Sequence, residues 1–416
     1  MSTSARQLVQ RLAELGRISD EPGELTRTFL SPAMTRANAK VATWMRAAGL
    51  AVRQDAVGNL IGRLENKNPR AKTMLLGSHL DTVRDAGRFD GALGVLLGVA
   101  AVAELRRRKV ELPFPVEVIG FSEEEGVRFG SAYLGSKGFI GRLAPADLAL
   151  KDEKGVSVRQ AVAERVSVSR RGGKLTHSPA PKRRDYLGYL EVHIEQGPVL
   201  ENEKLAVGVV SAIAGQTRGR ITFRGKAGHA GTTPMPLRRD ALAGAAEFIR
   251  FAESTARLRA PLVATVGTIG VSPGAPNVIP GEAVFSLDVR HPRDAARRAA
   301  LAQLLGEAKA IARRRGLKFG WQRTQDNGAV ACSPTLSRCL GESVERVQRR
   351  SVELVSGAGH DAVVMAALTP VAMLFVRCRD GLSHHPDEFA APADIDVALR
   401  VTVDFLERLA TPLSPS

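Results

Sequence analysis

The sequence predicts an α/β protein: a mixed, mostly parallel sheet covered by helices, with a second α/β unit inserted into it. Three observations carry this expectation. Short apolar runs alternate with helical patterns through the first half of the chain, which is the grammar of a sheet whose strands are buried on both faces. Polar clusters rich in His, Asp and Glu stand directly after those runs, where the crevice of such a sheet lies. The grammar then changes for about 110 residues and resumes at Ser333.

The elements follow in order. A helical pattern over Pro32–Ala48 stops at Gly49, a residue suited to the position past a helix end. Strand-like runs come next at Ala51–Ala56 and Asn59–Leu64. Thr73–Gly77 (TMLLG) is a short buried strand that runs into SHLDT. Gly91–Arg108 is a long helix, and Pro115–Phe121 (PVEVIGF) is a buried strand ending in SEEEG. Glu164–Asp185 is basic and lacks periodicity, so it reads as an exposed loop with His177 a solvated residue inside it. Gly188–Ile194 returns to the core and ends in HIEQG. From about Gln216 the pattern is strand Gly219–Arg224, helix Leu237–Ala256, strands Leu262–Ile269 and Ala283–Val289, helix Asp294–Arg314 and strand Leu317–Gln322. That order, β-α-β-β-α-β, is a ferredoxin-like unit. The helix from Ser333, the strand Val371–Val376 and the helix Ile395–Leu409 rejoin the first sheet. The expected organisation is therefore a first domain in two parts, residues 1–214 and 329–416, around an inserted domain at 215–328.

Composition narrows the function classes. A chain of 416 residues suits two or three domains. The longest uncharged apolar run, Gly91–Ala103, falls short of the roughly 18 residues that a bilayer span needs. Met1–Gly16 has no continuous apolar stretch, so a cytoplasmic protein without a membrane partner is expected. The formal charge of +16 raises the prospect of an acidic partner. Only 13 of the 59 basic residues are Lys, however, and they fall in pairs and triplets, mostly at helix ends, where cations suit the helix dipole. Aromatic residues are 5%, too few to stack bases along a groove, and nucleic-acid binding is not expected. Cys332, Cys339 and Cys378 show no CxxC spacing, which argues against a disulfide framework and a thiolate metal site.

The chemistry sits with the histidines and acids. Of eight histidines, His79, His193, His360 and His384 follow apolar strands or Gly-rich loops of the first domain. Asp81, Asp90 and the run Glu123–Glu125 occupy comparable places. Imidazoles and carboxylates converging without Cys are the donor set of zinc or manganese. In His79-Leu80-Asp81 the i and i+2 side chains share a face of an extended segment, so the Asp is placed to hold the imidazole. Asp90 stands at the start of a helix, where it can bridge two cations or cap the helix. Adjacent glutamates point in different directions, so one can bind metal while the other moves protons.

Seven blocks in order, GSHLDTV (Gly77–Val83), FDGALGV (Phe89–Val95), SEEEGVRF (Ser122–Phe129), HIEQGPVLE (His193–Glu201), GHAGTTPM (Gly228–Met235), SGAGHDA (Ser356–Ala362) and FVRCRDGLSHHPDE (Phe375–Glu388), resemble the dinuclear metal amidohydrolases. That family contains allantoate amidohydrolases, N-carbamoyl-L-amino-acid hydrolases and β-ureidopropionases, and is related to aminoacylases and metal-dependent carboxypeptidases. The resemblance implies two divalent ions per chain, zinc or manganese. One would be held by His79, Asp90 and His193, the other by Asp90, Glu125 and His384, with Asp90 shared. It implies Glu124 as general base, with Asp81 as orienting carboxylate. It further implies Gln196, His229, Asn277 and Arg290 as substrate contacts, His229 also facing the developing oxyanion, and His360 at the pocket. His385 departs from the family's Asn or Ser and adds a neighbouring imidazole. The inserted domain would serve as lid and homodimer interface. The implied substrate is a small ureido carboxylate, allantoate first; the alternative is the substrate of an N-carbamoyl-L-amino-acid hydrolase or a β-ureidopropionase.

Overall fold

The computed structural model describes residues 2–68, 70–172 and 181–410. Contacts divide the chain into two units. The first comprises Met1–Ser211, Cys332–Leu354 and Gly359–Ser416; the second comprises Ala212–Ala331 with Val355–Ala358. His177 lies outside the described residues.

Along the chain the strands are β1 (Ala51–Gln54), β2 (Leu60–Leu64), β3 (Thr73–His79), β4 (Val116–Phe121), β5 (Tyr186–Ile194) and β6 (Val207–Ile213). There follow β7 (Gly215–Arg224), β8 (Gly228–His229), β9 (Val263–Thr265), β10 (Ile269–Ser272), β11 (Val278–Ile279) and β12 (Glu282–His291). The last are β13 (Lys318–Asn327), β14 (Val330–Ala331), β15 (Glu353–Ser356) and β16 (Val371–Val376).

In the first unit β4, β3, β5 and β16 lie side by side and parallel. Antiparallel β2 flanks β4, with β1 beyond it, and antiparallel β6 flanks β16. Strands β3, β4 and β16 are buried along their whole length, which explains their largely apolar sequences; the charged Glu117 within β4 is paired with Arg53 and Arg63. Helix Ala92–Arg107 packs on β3 and against helices Thr3–Leu15 and Pro392–Leu409. Because the central strands are parallel, their C-terminal ends fall on one edge of the sheet. His79 ends β3, Phe121 ends β4 just before the glutamate run, His193 is the penultimate residue of β5, and Val376 ends β16. The donors are therefore gathered by topology.

Three sequence expectations change. The loop expected from Glu164 begins instead as the end of a helix, Val158–Gly172, whose buried Val158 and Ala161 anchor its apolar face. Arg183–Asp185 forms a single 3-10 turn before β5. The single strand expected at Leu262–Ile269 is divided into β9 and β10. The hydroxyl of Ser286 accepts the N–H groups of Gly267 and Thr268 at 3.1 and 3.0 Å, taking those donors out of the ladder.

The second unit has the antiparallel order β10-β12-β7-β13, with β9 also on β12. Alternate residues of β12, from Ala283 to His291, are buried, the period of a sheet covered on one face. Helices Ala241–Arg257 and Asp294–Arg314 pack on β7 and β12 and close a core around Phe223, Phe248, Phe285 and Leu304. No described helix is long and apolar enough to cross a membrane.

Candidate metal centre

The sheet edge of the first unit brings His79, Asp90, Glu124, Glu125, His193 and His384 together. The ligand atoms of His79, Asp90 and His193 lie within 4.8 Å of one another, and so do those of Asp90, Glu125 and His384. Asp90 belongs to both sets and divides its two oxygens between them. Its Oδ1 is 3.0 Å from His193 Nε2 and 3.7 Å from His79 Nε2. Its Oδ2 is 3.2 Å from His384 Nε2, which in turn is 3.6 Å from Glu125 Oε1.

Capping does not explain Asp90. Helix Ala92–Arg107 starts at Gly91 without any side-chain cap, so the carboxylate just before it is turned into the cluster. Gly91 has φ +63°, and a Cβ there would meet the His79 ring at 2.4 Å. Only glycine lets the helix entry pass so close to the imidazole while adopting a left-handed conformation.

The protonation pattern tests whether these residues suit a cation. His79 Nδ1 is 3.0 Å from the main-chain oxygen of Asp81, and His193 Nδ1 is 2.9 Å from that of Ile194. A carbonyl only accepts, so each ring carries its proton on Nδ1 and turns the lone pair of Nε2 inward. Both lone pairs face Asp90 Oδ1, which is buried and accepts no hydrogen bond from the described residues. Three inward-facing acceptors in one dry space repel unless positive charge lies between them, and the donor set therefore fits a divalent ion.

Protons are the alternative counter-charge, and the acidities reflect this. Burial works to lower His79, but the carboxylates of Asp81 and Asp90 outweigh it and hold it well above its usual pKa. Burial likewise opposes the charged form of His193, and Asp90 overcomes it. Asp90 pushes His384 up to about 9. Burial pushes Glu125 to about 7, helped by the charge of Asp90, and pushes Glu124 well above the carboxylate range. For Asp90, burial is outweighed by His193, His384 and His79, which hold it well below that range.

The Asp81 carboxylate stands beside His79, where its spacing puts it, and has further partners. Its carboxylate stands 3.4 Å from His79 Nδ1, and the shorter contact to that ring comes from its own main-chain oxygen. The carboxylate also accepts the N–H groups of Glu124, at 3.0 Å to each oxygen, and of Glu125, at 3.1 Å. It thereby fixes the backbone of the glutamate run. Glu123 folds back on Gly126, whose N–H it accepts, leaving Glu124 and Glu125 as the two members that face the histidines.

The remaining candidates are distributed as follows. Gln196 Nε2 lies 3.3 Å from Asp90 Oδ2 and 2.9 Å from Ser383 Oγ, within the cluster. His360 is buried edge-on against the His193 ring, with centroids 4.5 Å apart, and burial keeps it neutral. His385 turns away to Asp387, whose N–H it accepts at 3.2 Å. His229, Asn277 and Arg290 belong to the second unit. His229 pairs with Val278 across the β8–β11 ladder, so Asn277 lies beside it, and the main-chain oxygen of Asn277 accepts the N–H of Ala230. Arg290 grips Asp288 through Nε and Nη2 at 3.0 and 2.8 Å and donates Nη1 to Gly357.

Among the buried acids that sequence reasoning did not single out are Glu191 and Asp361. Glu191 accepts Ser78 Oγ and the N–H of Ala362, and Asp361 is fully buried. The signal for Glu191 was a charged residue inside an apolar strand, two positions before His193 on the same face.

Oxygen and nitrogen donors paired about one shared carboxylate, with a buried glutamate alongside, define a metal-dependent hydrolase. The profile of peptidase family M20/M25/M40 matches residues 75–408, and the chain belongs to that family. It is 42% identical to an allantoate deiminase of Arabidopsis thaliana, over 96% of this chain and 82% of that one. It is 39% identical to an N-carbamoyl-L-amino acid amidohydrolase of Geobacillus stearothermophilus, over 97% and 98% of the two chains. A solved amidase of the hydantoinase/carbamoylase family from Burkholderia multivorans superposes with a TM-score of 0.91 at 34% identity, covering 98% of each chain. The α/β fold and the amidohydrolase class read from the sequence are those of these relatives.

Proposed function

We propose that this chain hydrolyses a ureido carbon–nitrogen bond next to a carboxylate, with allantoate as substrate, giving ureidoglycine, ammonia and carbon dioxide. The observation that carries the proposal is the Asp90 carboxylate, which presents one oxygen to His79 and His193 and the other to Glu125 and His384. His79, Asp90 and His193 would hold one ion and Asp90, Glu125 and His384 the other, with zinc or manganese suited to this donor set. Two divalent ions held there would supply Lewis acidity for the carbonyl and for the attacking water.

The chain's own groups do the rest. Glu124, buried and poised by the two N–H bonds from the glutamate run to Asp81, takes the proton of the attacking water and passes it to the leaving nitrogen. Gln196 and His360 stand beside the donors for contact with the ureido group, and His229 is assigned to the developing oxyanion together with Asn277. Arg290 is assigned to the substrate carboxylate. Three of its five N–H groups are committed to Asp288 and Gly357, which leaves a fixed, planar edge for a carboxylate.

The enzyme would act in the cytoplasm as a homodimer joined through the second unit. Support comes from edge strand β10, which exposes Ile269 and Val271, and from exposed Val263 and Leu258 nearby in sequence, all in that unit. An edge with apolar side chains is suited to pairing with a second copy.

Chelator-treated protein, reconstituted with zinc or manganese and assayed on allantoate and on N-carbamoyl-L-amino acids in parallel, tests the proposal. Metal-dependent release of ammonia from allantoate is expected. Turnover of N-carbamoyl amino acids alone would select the second reading, which the full-length match to the Geobacillus stearothermophilus enzyme favours. Full activity without metal would reject both.

A further inference from the structure

We propose that Glu388 is the positioning residue that sets the shared carboxylate of Asp90, and that it governs chiefly the donor set Asp90, Glu125 and His384. This rests on the two-ion reading above. Glu388 is buried at 3% exposure and lies in no ion pair among the described residues. Its Oε1 accepts the N–H groups of Phe89 and Asp90 at 2.9 and 3.0 Å. Its Oε2 accepts the hydroxyl of Ser383 at 2.9 Å. A single carboxylate thus ties the segment that presents Asp90 to the loop that presents His384.

Neighbouring contacts make the tie specific. Ser383 has one proton, and its shorter contact, to Glu388, takes it; the contact to Asp90 Oδ2 is 3.4 Å. The Ser383 oxygen is then free to accept Gln196 Nε2, which also reaches Asp90 Oδ2. Gly87 lies so close that a Cβ there would stand 2.3–2.5 Å from the Glu388 side chain, so the segment before Asp90 wraps around the carboxylate. Within the loop, the N–H of Glu388 closes a turn on the carbonyl of His385, and His384 itself has φ +56°, a left-handed conformation that a non-glycine residue keeps only when its surroundings hold it. His79 and His193 need no such help. They sit in strands and are oriented by the carbonyls of Asp81 and Ile194. Loss of Glu388 therefore releases both Asp90 and His384 but leaves the two strand histidines in place, and the ion sharing Glu125 and His384 suffers first.

The test is a zinc titration of chelator-stripped wild type, E388A and E388Q, reading the number of ions bound and each dissociation constant, with H384A marking the loss of the second ion. The melting temperature and near-ultraviolet dichroism of the stripped proteins report the fold. Wild type binds two ions. E388A weakens the second ion about 10- to 100-fold, as loss of a supporting partner does, and changes the first little. E388Q keeps an oxygen for the two N–H groups and weakens the second ion less than E388A; should E388A fail to fold, a measurable weakening of the second ion alone in E388Q carries the result. If wild type binds two ions and the variants bind both as tightly, or lose both equally along with stability, the inference is overturned and the two-ion reading stands. If wild type binds fewer than two ions, both fall.

Discussion

Replacing Asp81 by Asn separates two ways in which this carboxylate can serve the centre. By spacing alone it would orient His79; by its contacts it holds the backbone of Glu124 and Glu125, while the carbonyl of residue 81 takes the His79 proton. Asparagine keeps the shape but turns one oxygen into a donor. The surviving oxygen can accept both N–H groups, now as a neutral acceptor, and the amide nitrogen confronts the N–H of Glu124. A hydrogen bond to a charged group contributes about 1.5–3 kcal/mol and a neutral one about 0.5–1.5, so two bonds lose roughly 2–3 kcal/mol. If that loss is expressed in the placement of Glu125, the second ion weakens by roughly 30- to 100-fold at about 1.4 kcal/mol per tenfold change. Turnover falls as well, because Glu124 moves with its backbone. The assay is a metal titration of the stripped variant with kcat measured at saturating metal. Selective weakening of the ion shared by His79 and His193, with the other unaffected, would refute this reasoning and restore the imidazole as the target of Asp81.

Other outcomes follow from the same geometry. Glu124→Gln should lower kcat by roughly 100-fold or more with metal content unchanged, since it removes the proton acceptor and not a ligand; loss of metal with normal turnover per ion would mean that Glu124 and Glu125 have exchanged roles. Glu125 and His384 hold protons up to about 7 and about 9, and a metal ion must displace them. Apparent affinity for the second ion should therefore rise across that pH range and level off above it, and a flat profile from isothermal titrations at several pH values would contradict the assignment of these ligands. Arg290→Lys should raise KM for a carboxylated ureido substrate, at a cost of about 1.5–3 kcal/mol if a charged hydrogen bond is lost, and matter little for the corresponding amide; equal losses on both would mean that the pair with Asp288 serves the fold.

Much of the fold was legible because its signals are local. Buried strands β3 and β16 show as the apolar runs Met74–Gly77 and Val371–Val376, and β12 alternates apolar and polar residues from Phe285 to Arg290, as a sheet with one covered face does. Helix Thr3–Leu15 had its signal too, a Ser2 cap and Ala5, Leu8, Leu12 and Leu15 on one face, but in a segment read only for targeting. The gap between β9 and β10 was not legible, since it depends on Ser286 of another strand capturing two N–H groups. In the centre, strand-end histidines are visible as such, whereas the role of Asp90 is ambiguous in sequence, because an acid before a helix has a ready alternative as a cap. Spacing places the Asp81 carboxylate beside His79 but says nothing of its bonds to the N–H groups of Glu124 and Glu125, over 40 residues on. Glu388 closes a recognisable motif, but its partners, Phe89 and Asp90, are about 300 residues away, and no local pattern announces them.

The shared carboxylate is tested most directly by anomalous diffraction from crystals of the zinc- or manganese-loaded protein. Two peaks are predicted, one on each side of the Asp90 carboxylate: the first within about 2.0–2.2 Å of His79 Nε2, His193 Nε2 and Asp90 Oδ1, the second equally close to Asp90 Oδ2, a Glu125 oxygen and His384 Nε2. A single peak, or two peaks that do not share Asp90, would contradict the two-ion centre on which the proposed hydrolysis depends.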